Sequence, residues 1–218
     1  MHNSEISANV SKEFHKNNFF RIILYLLIVY LCKNYKAMAK RKILLAVDLQ
    51  KDFIDGTLTV PGAASVLPEI NRVKKDFDLV YFTLDWHPVD HCSFKDQGGP
   101  WPVHCVHHTA GASIPDEMFE GLDESRMRFI LKGRVQGPEE YGAFVGFDPD
   151  NQDLFEPGDE VVVCGIAAEY CVLETLKNLY AISQKIGFTV RVFLGGTAKF
   201  SSHDTVVAFM SENGIKVW

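Results

Sequence analysis

The chain has 218 residues, 47% of them hydrophobic, which suits one domain with a sizeable core, since a chain of this size buries roughly 70% of its unfolded surface. A formal net charge of -6 argues against nucleic-acid binding, whose generic affinity comes from Lys and Arg on phosphates. Five cysteines (Cys32, Cys92, Cys105, Cys164, Cys171) are an odd number without the spacing of a disulfide framework, and suit a reducing compartment where thiols pack, bind metal or react.

Residues 1–37 differ in character from the rest. Phe19 to Cys32 is apolar, but it is interrupted by Arg21 and short for a span, which wants about 20 predominantly apolar residues. Lys12 and Lys16 precede it as in a signal segment, yet no small-residue cleavage site follows. Three readings compete: a mis-called start codon, a signal anchor and a genuine extra helix. The first is preferred, because Met38-Ala39-Lys40-Arg41-Lys42 reads as a fresh start before a complete cytosolic domain. The expectation is an N-terminal extension over 1–37 and one folded domain over 38–218. The protein is expected to be cytoplasmic, with a membrane partner only if the extension is real.

Beyond Met38, short apolar runs alternate with helical patterns. Ile43 to Val47 ends at Asp48, Leu79 to Leu84 at Asp85, and Phe129 to Leu131 at Lys132. Glu160 to Cys164 ends at Gly165, Thr189 to Leu194 at Gly195, and Ile215 to Val217 closes the chain. Runs apolar on both faces are how parallel strands buried between helices look. Val66, Ile70, Val73 and Phe77 fall on one helical face, as do Val172, Leu176, Leu179 and Ile186. His203 to Glu212 forms a third helix, with Ser201 or Ser202 as N-cap and Gly214 past its end. The alternation predicts a single-domain, three-layer α/β/α fold with a mostly parallel sheet. Residues 86–125 lack periodicity, and so long a loop in a compact domain is usually functional.

Asp48, Asp85 and Lys132 each stand at the carboxyl end of a strand, and a fourth strand leads through Gly165-Ile166-Ala167 into a helix start bearing Cys171. Ligands of open α/β sheets bind at that edge. A lone Cys is commonly a core residue, but at a helix start its thiolate is favoured and free N–H groups are offered to an oxyanion. Asp48, at the rim of a core, can become a usable base through desolvation, and Lys132 can hold it in place. Asp85 and His87, two residues apart, can face one ion with His104 as a third ligand. That donor set suits Zn, Fe or Mn with positions left open. The bland alternative is a loop simply rich in His, since His91, His107 and His108 lie there too. Cys164 reads as core. Phe53 and Trp101, ordinarily packing residues, fall beside the site and could clamp a ring.

In order and spacing, Val47-Asp48-Leu49-Gln50-Lys51-Asp52-Phe53, Asp85-Trp86-His87-Pro88, Trp101-Pro102-Val103-His104-Cys105-Val106, Lys132-Gly133 and Gly165-Ile166-Ala167-Ala168-Glu169-Tyr170-Cys171-Val172 are specific together. Over Lys42 to Trp218 the chain resembles the nicotinamidases of the isochorismatase-like cysteine hydrolase superfamily. The resemblance implies a catalytic triad of Asp48, Lys132 and Cys171, an oxyanion site at the Ala167 and Cys171 N–H groups after a cis Ile166–Ala167 bond, and one divalent metal, zinc first with iron or manganese as alternatives. Its ligands would be Asp85, His87 and His104, with His91 left open. The implied pocket comprises Phe53, Trp101, Ile166 and Tyr170, with Phe144 at a place often held by Tyr. Isochorismatases lack this metal site.

The implied reaction is hydrolysis of nicotinamide to nicotinate and ammonia through a cysteine thioester, in NAD salvage, with pyrazinamide as a further substrate and the metal fixing the ring nitrogen. No nucleic-acid partner is expected, and a homo-oligomer is left open. An amidase of the same fold acting on carbamoyl or ureido substrates, and a catalytically silent binding module, are the rival readings.

Overall fold

The computed structural model describes residues 21–27, 40–148 and 153–218. The chain divides into two compact units, Met1–Ala39 and Lys40–Trp218. Of the first, residues 21–27 are helical and expose Ile22, Ile23, Leu24, Tyr25, Leu26 and Leu27. Among the described residues no helix is long and apolar enough to cross a membrane. The remainder of the apolar segment expected before Met38 lies outside the described residues.

The second unit holds the sheet. Its strands are β1 (Lys42–Val47), β2 (Leu79–Asp85), β3 (Met127–Lys132), β4 (Glu160–Gly165), β5 (Thr189–Thr197) and β6 (Lys216–Val217). All pairings are parallel, in the order β3-β2-β1-β4-β5-β6. The helices are α1 (Lys51–Ile54), α2 (Ala63–Val73), α3 (Leu173–Ile186) and α4 (Asp204–Glu212), and a π-helical turn, Ala168–Val172, leads into α3.

Side chains alternate across a strand, so β1 feeds two cores. Leu44 and Ala46 pack with Val66, Leu67, Ile70 and Val73 of α2. Ile43, Leu45 and Val47 face the opposite way, onto Leu176 and Leu179 of α3 and Val206 and Met210 of α4. Fully buried side chains such as Ile70 and Leu176 each contribute about 1.5–3 kcal/mol by leaving water. The three expected layers are present. Two details differ. The helix carrying Val66 ends at Val73, and Phe77 is buried beyond a 3-10 turn, Lys74–Asp76, rather than on the helix. His203 occupies the N-cap of α4, while the Ser202 hydroxyl accepts the Asp204 N–H at 3.2 Å.

The chain winds from β1 outward to β3, then returns to the other side of β1 as β4. The reversal leaves a crevice beyond the carboxyl ends of β1 and β4, where an open α/β sheet takes its ligand. Gly165 permits the closeness there, because a Cβ on it would lie 2.1 Å from the Val47 carbonyl oxygen.

Candidate active site

Asp48 follows β1 in a left-handed backbone conformation (φ 49°), which Asp tolerates better than most residues. Its carboxylate turns into the crevice, where Thr83 of β2 donates its hydroxyl to Asp48 Oδ1 at 2.6 Å. Lys132, at the end of β3, places Nζ 2.8 Å from Asp48 Oδ2 and donates to Cys171 Sγ at 3.6 Å. The same ammonium pairs with Oδ1 of Asp85. Asp48, Lys132, Asp85 and Cys171 are all buried. Three strand ends and the turn after a fourth strand therefore meet at one point, as the strand-end pattern led one to expect.

Burial decides the protonation states. It pushes the Asp48 carboxyl up and outweighs the pull of Lys132. It opposes ionisation of Asp85 too, but there Lys132 and His87 prevail and hold the carboxyl below its usual range. Burial also disfavours the charge on Lys132, yet two carboxylates keep it firmly protonated. The Cys171 thiol is pushed well above its ordinary value, chiefly by desolvation, with Lys132 pulling the other way. A thiolate favoured by a helix start was expected; desolvation instead favours the neutral thiol.

Cys171 sits in the π-helical turn rather than in a regular first helical turn. Such turns occur disproportionately at functional sites. The Ile166–Ala167 peptide is cis. The N–H groups on either side of Ala167 are used, Ile166 donating to Val47 O at 2.9 Å and Ala168 to Ala198 O at 2.8 Å. That of Ala167 has no acceptor among the described residues.

Beside this cluster, Asp85, His87 and His104 bring one ligand atom each within 4.8 Å of one another. The long loop achieves this by folding onto itself: His87 N–H donates to Cys105 O at 3.1 Å and His107 N–H to His87 O at 2.9 Å. His87 Nδ1 donates to Gly133 O at 3.0 Å, and His104 Nδ1 to Pro102 O at 2.8 Å. A carbonyl accepts only, so each Nδ1 carries a proton and each Nε2 is the atom that can offer a lone pair to a metal. Those Nε2 atoms lie 3.5 and 4.0 Å from Asp85 Oδ2. Two imidazoles and a carboxylate converging this way fit a divalent metal. A Cβ at Gly133 would lie 2.5 Å from His87 Cε1, so the glycine makes room for the imidazole.

His91 stacks on His87 with ring centroids 3.8 Å apart, and its Nδ1 meets Ser93 Oγ at 2.8 Å. Its Nε2 is buried with no partner among the described residues. Burial and the neighbouring His87 push its pKa down to about 4. It forms no part of the Asp85, His87 and His104 group and lies instead with Cys92 and Glu139.

A cavity of about 360 Å³, including its mouth, opens onto Cys171, Asp85 and His104. Phe53, Trp101 and Tyr170 line it as expected. Ile166 does not: it packs in the core, and Ala167 lines the cavity in its place. Phe144 likewise packs among Phe147 and Phe155, and Tyr141 reaches the cavity, its hydroxyl accepting Trp101 Nε1–H at 2.9 Å. Cys164 and Cys105 are core.

Sequence reasoning missed Thr83, Gln50, Glu139 and Tyr141. Gln50 clamps Asp85 through its backbone, accepting its N–H at 2.8 Å and donating to its carbonyl at 2.7 Å. Thr83 carried a signal, as the one polar residue inside an apolar strand. The others become visible only when the loops are folded.

A parallel α/β domain whose switch-point crevice holds a buried thiol, a lysine–carboxylate pair and a metal-type donor set defines an amide-hydrolysing enzyme. The chain belongs to the isochorismatase family: the family's model, described as Isochorismatase domain, matches residues 42–217. It is similar to the nicotinamidase of Saccharomyces cerevisiae, at 30% identity over 208 aligned residues covering 78% of this chain and 94% of that one. It is 35% identical to the nicotinamidase/pyrazinamidase of Mycobacterium tuberculosis, covering 78% of this chain and 92% of that one. Among solved structures, the Pyrococcus horikoshii pyrazinamidase in complex with zinc superposes with a TM-score of 0.65 at 31% identity, over 82% of this chain and 98% of that one. The L. infantum protein PnC1 in complex with nicotinate gives 0.67 at 32% identity, over 82% and 92%.

Proposed function

We propose that this chain hydrolyses nicotinamide to nicotinate and ammonia, with pyrazinamide as a further substrate, a reaction suited to NAD salvage. The observation that carries the reading is that Asp85 and His104, two of the three grouped donors Asp85, His87 and His104, line the same cavity as Cys171. In this reading a ring nitrogen faces the donor group and the carboxamide faces Cys171. The nicotinamidase names of its relatives support the same substrate.

In the proposed mechanism Asp48 accepts the thiol proton of Cys171 and Sγ attacks the carboxamide carbon. Lys132 holds Asp48 in line and offsets the charge built up between the two. The tetrahedral oxyanion is received by the Ala167 and Cys171 N–H groups. Asp48 returns its proton to the departing nitrogen, so ammonia leaves and a thioester remains. Water, deprotonated by Asp48, then releases the acid and restores the thiol. A divalent ion held by Asp85, His87 and His104 would supply a Lewis-acid anchor for the ring nitrogen. We propose zinc, on the donor set and on the zinc complex of the Pyrococcus relative. Phe53 and Trp101 would clamp the ring from the cavity walls.

The test is a coupled assay of ammonia release from nicotinamide and a panel of small amides, with and without chelator. Preference for carbamoyl or ureido amides over nicotinamide would overturn the reading.

A further inference from the structure

Glu169 lies two residues before Cys171, in the same π-helical turn, and its carboxylate binds the segment after β5. Its carboxylate is a collar for the segment after β5: Oε1 accepts the N–H of Ser201 at 2.6 Å and of Ser202 at 2.9 Å, and Oε2 accepts that of Phe200 at 3.0 Å. The Ser201 hydroxyl adds a fourth bond at 3.1 Å. Three consecutive backbone donors on one carboxylate are charge-assisted bonds, roughly twice as strong as neutral ones. The same segment is tied down on its near side, where Ala168 N–H donates to Ala198 O at 2.8 Å. So much fastening of an exposed loop has no evident purpose in core packing.

Its consequence is the placement of one ring. Phe200 stacks on Trp101 with centroids 5.9 Å apart and planes at 17°, and meets Tyr170 edge-on at 5.8 Å. Trp101 and Tyr170 are themselves edge to face at 5.1 Å. Phe200 lines the cavity, yet it is 36% exposed, so it stands at the rim between cavity and solvent. The polar ends of the site, Cys171 and Asp85, lie within the cavity. A ring bound by its carboxamide and its nitrogen would present its remaining edge away from both groups.

We propose that Phe200 is a specificity-determining residue: it caps the mouth of the ring pocket, admits an unsubstituted six-membered heteroaromatic carboxamide, and excludes one extended by a fused or bulky group. Glu169 is the positioning residue that holds the cap. The inference rests on the nicotinamide reading and deepens it. Because Phe200 is partly exposed, replacing it leaves little unfilled core, so the variant remains a folded enzyme.

The test compares nicotinamide with 5-phenylnicotinamide, which carries a bulky group on C5, the ring carbon adjacent to neither the nitrogen nor the carboxamide-bearing carbon, in the metal-loaded full chain. Phe200→Ala should raise KM for nicotinamide roughly threefold to tenfold, the size of one aromatic contact, with kcat changed less. It should also raise the ratio of kcat/KM for the 5-phenyl amide over nicotinamide at least about tenfold, the discrimination expected of a pocket wall. Phe200→Leu, which keeps bulk at the rim, should move that ratio far less. Glu169→Gln should shift KM and the ratio in the same direction as Phe200→Ala, and the double variant should go no further than Phe200→Ala alone, because both act through one ring. If Phe200→Ala leaves KM and the ratio unchanged while nicotinamide is still hydrolysed, the inference is overturned and the functional reading stands. Wild-type protein inert toward nicotinamide would overturn both.

Discussion

The ammonium of Lys132 lies 2.8 Å from Oδ2 of Asp48, with both side chains removed from solvent. The same Nζ pairs with Asp85 and reaches Cys171 Sγ at 3.6 Å, so one cation ties the proposed base to the metal-type donor set and to the thiol. Without Lys132, the Asp48 carboxylate would remain buried with no counter-charge, a loss of about 3–5 kcal/mol. Lys132→Met is expected to lower stability by that order and to abolish turnover. Urea denaturation beside the ammonia assay measures both, and a stable, active variant would refute the arrangement.

Cys171→Ala should remove turnover by at least about a thousandfold, while ring binding and metal content persist, since those lie on other loops. Cys164→Ala, a core change, should keep the activity and cost about 1 kcal/mol. The deciding measurement is mass spectrometry of acid-quenched enzyme during turnover. A nicotinoyl adduct should map to the peptide containing Cys171; one on Cys92 or Cys105 would identify a different nucleophile.

The pH profile follows from burial. Asp48 must be ionised to take the thiol proton, so kcat/KM should fall as pH drops through the Asp48 pKa. Burial raises that pKa above the ordinary 3.8, which places the acid limb at higher pH than an exposed carboxylate would. The Cys171 thiol is raised as well, so the alkaline limb should lie above the ordinary thiol value of 9.0. Rates measured with excess metal across the range check both limbs. An acid midpoint at or below 3.8 would contradict the role given to Asp48.

Chelation should abolish activity, and re-addition of a divalent ion should restore it. His104→Ala and His87→Ala should each lower bound metal, read by elemental analysis, and raise KM more than they lower kcat. Full activity from protein shown to contain no metal would exclude the proposed anchor.

A chain beginning at Met38 should be folded and fully active, because every residue of the proposed site lies in the second compact unit. Loss of folding in that shortened chain would mean that residues 1–37 belong to the domain.

The α/β class and the side of the sheet that carries chemistry were legible in the sequence for a local reason. A buried parallel strand needs apolar residues on both faces, so a polar residue ending the run, such as Asp48, Asp85 or Lys132, stands out at the edge where ligands bind. The metal-type trio was legible as residue types at suggestive spacing, and the resemblance to a known family joined the segments in order. Only the tertiary structure decided which neighbours those residues meet. Lys132 pairs with Asp85 as well as Asp48, because β2 separates β1 from β3 in the sheet and puts the Asp85 carboxylate within reach of the same ammonium. Ile166 and Phe144 went to the core, while Tyr141 and Phe200 came to the cavity, since the side-chain direction of a loop residue depends on long-range hydrogen bonds that no local pattern encodes. The Cys171 thiol was expected to be lowered by its helix start and is instead raised, because desolvation depends on everything packed around it, which a sequence window does not contain.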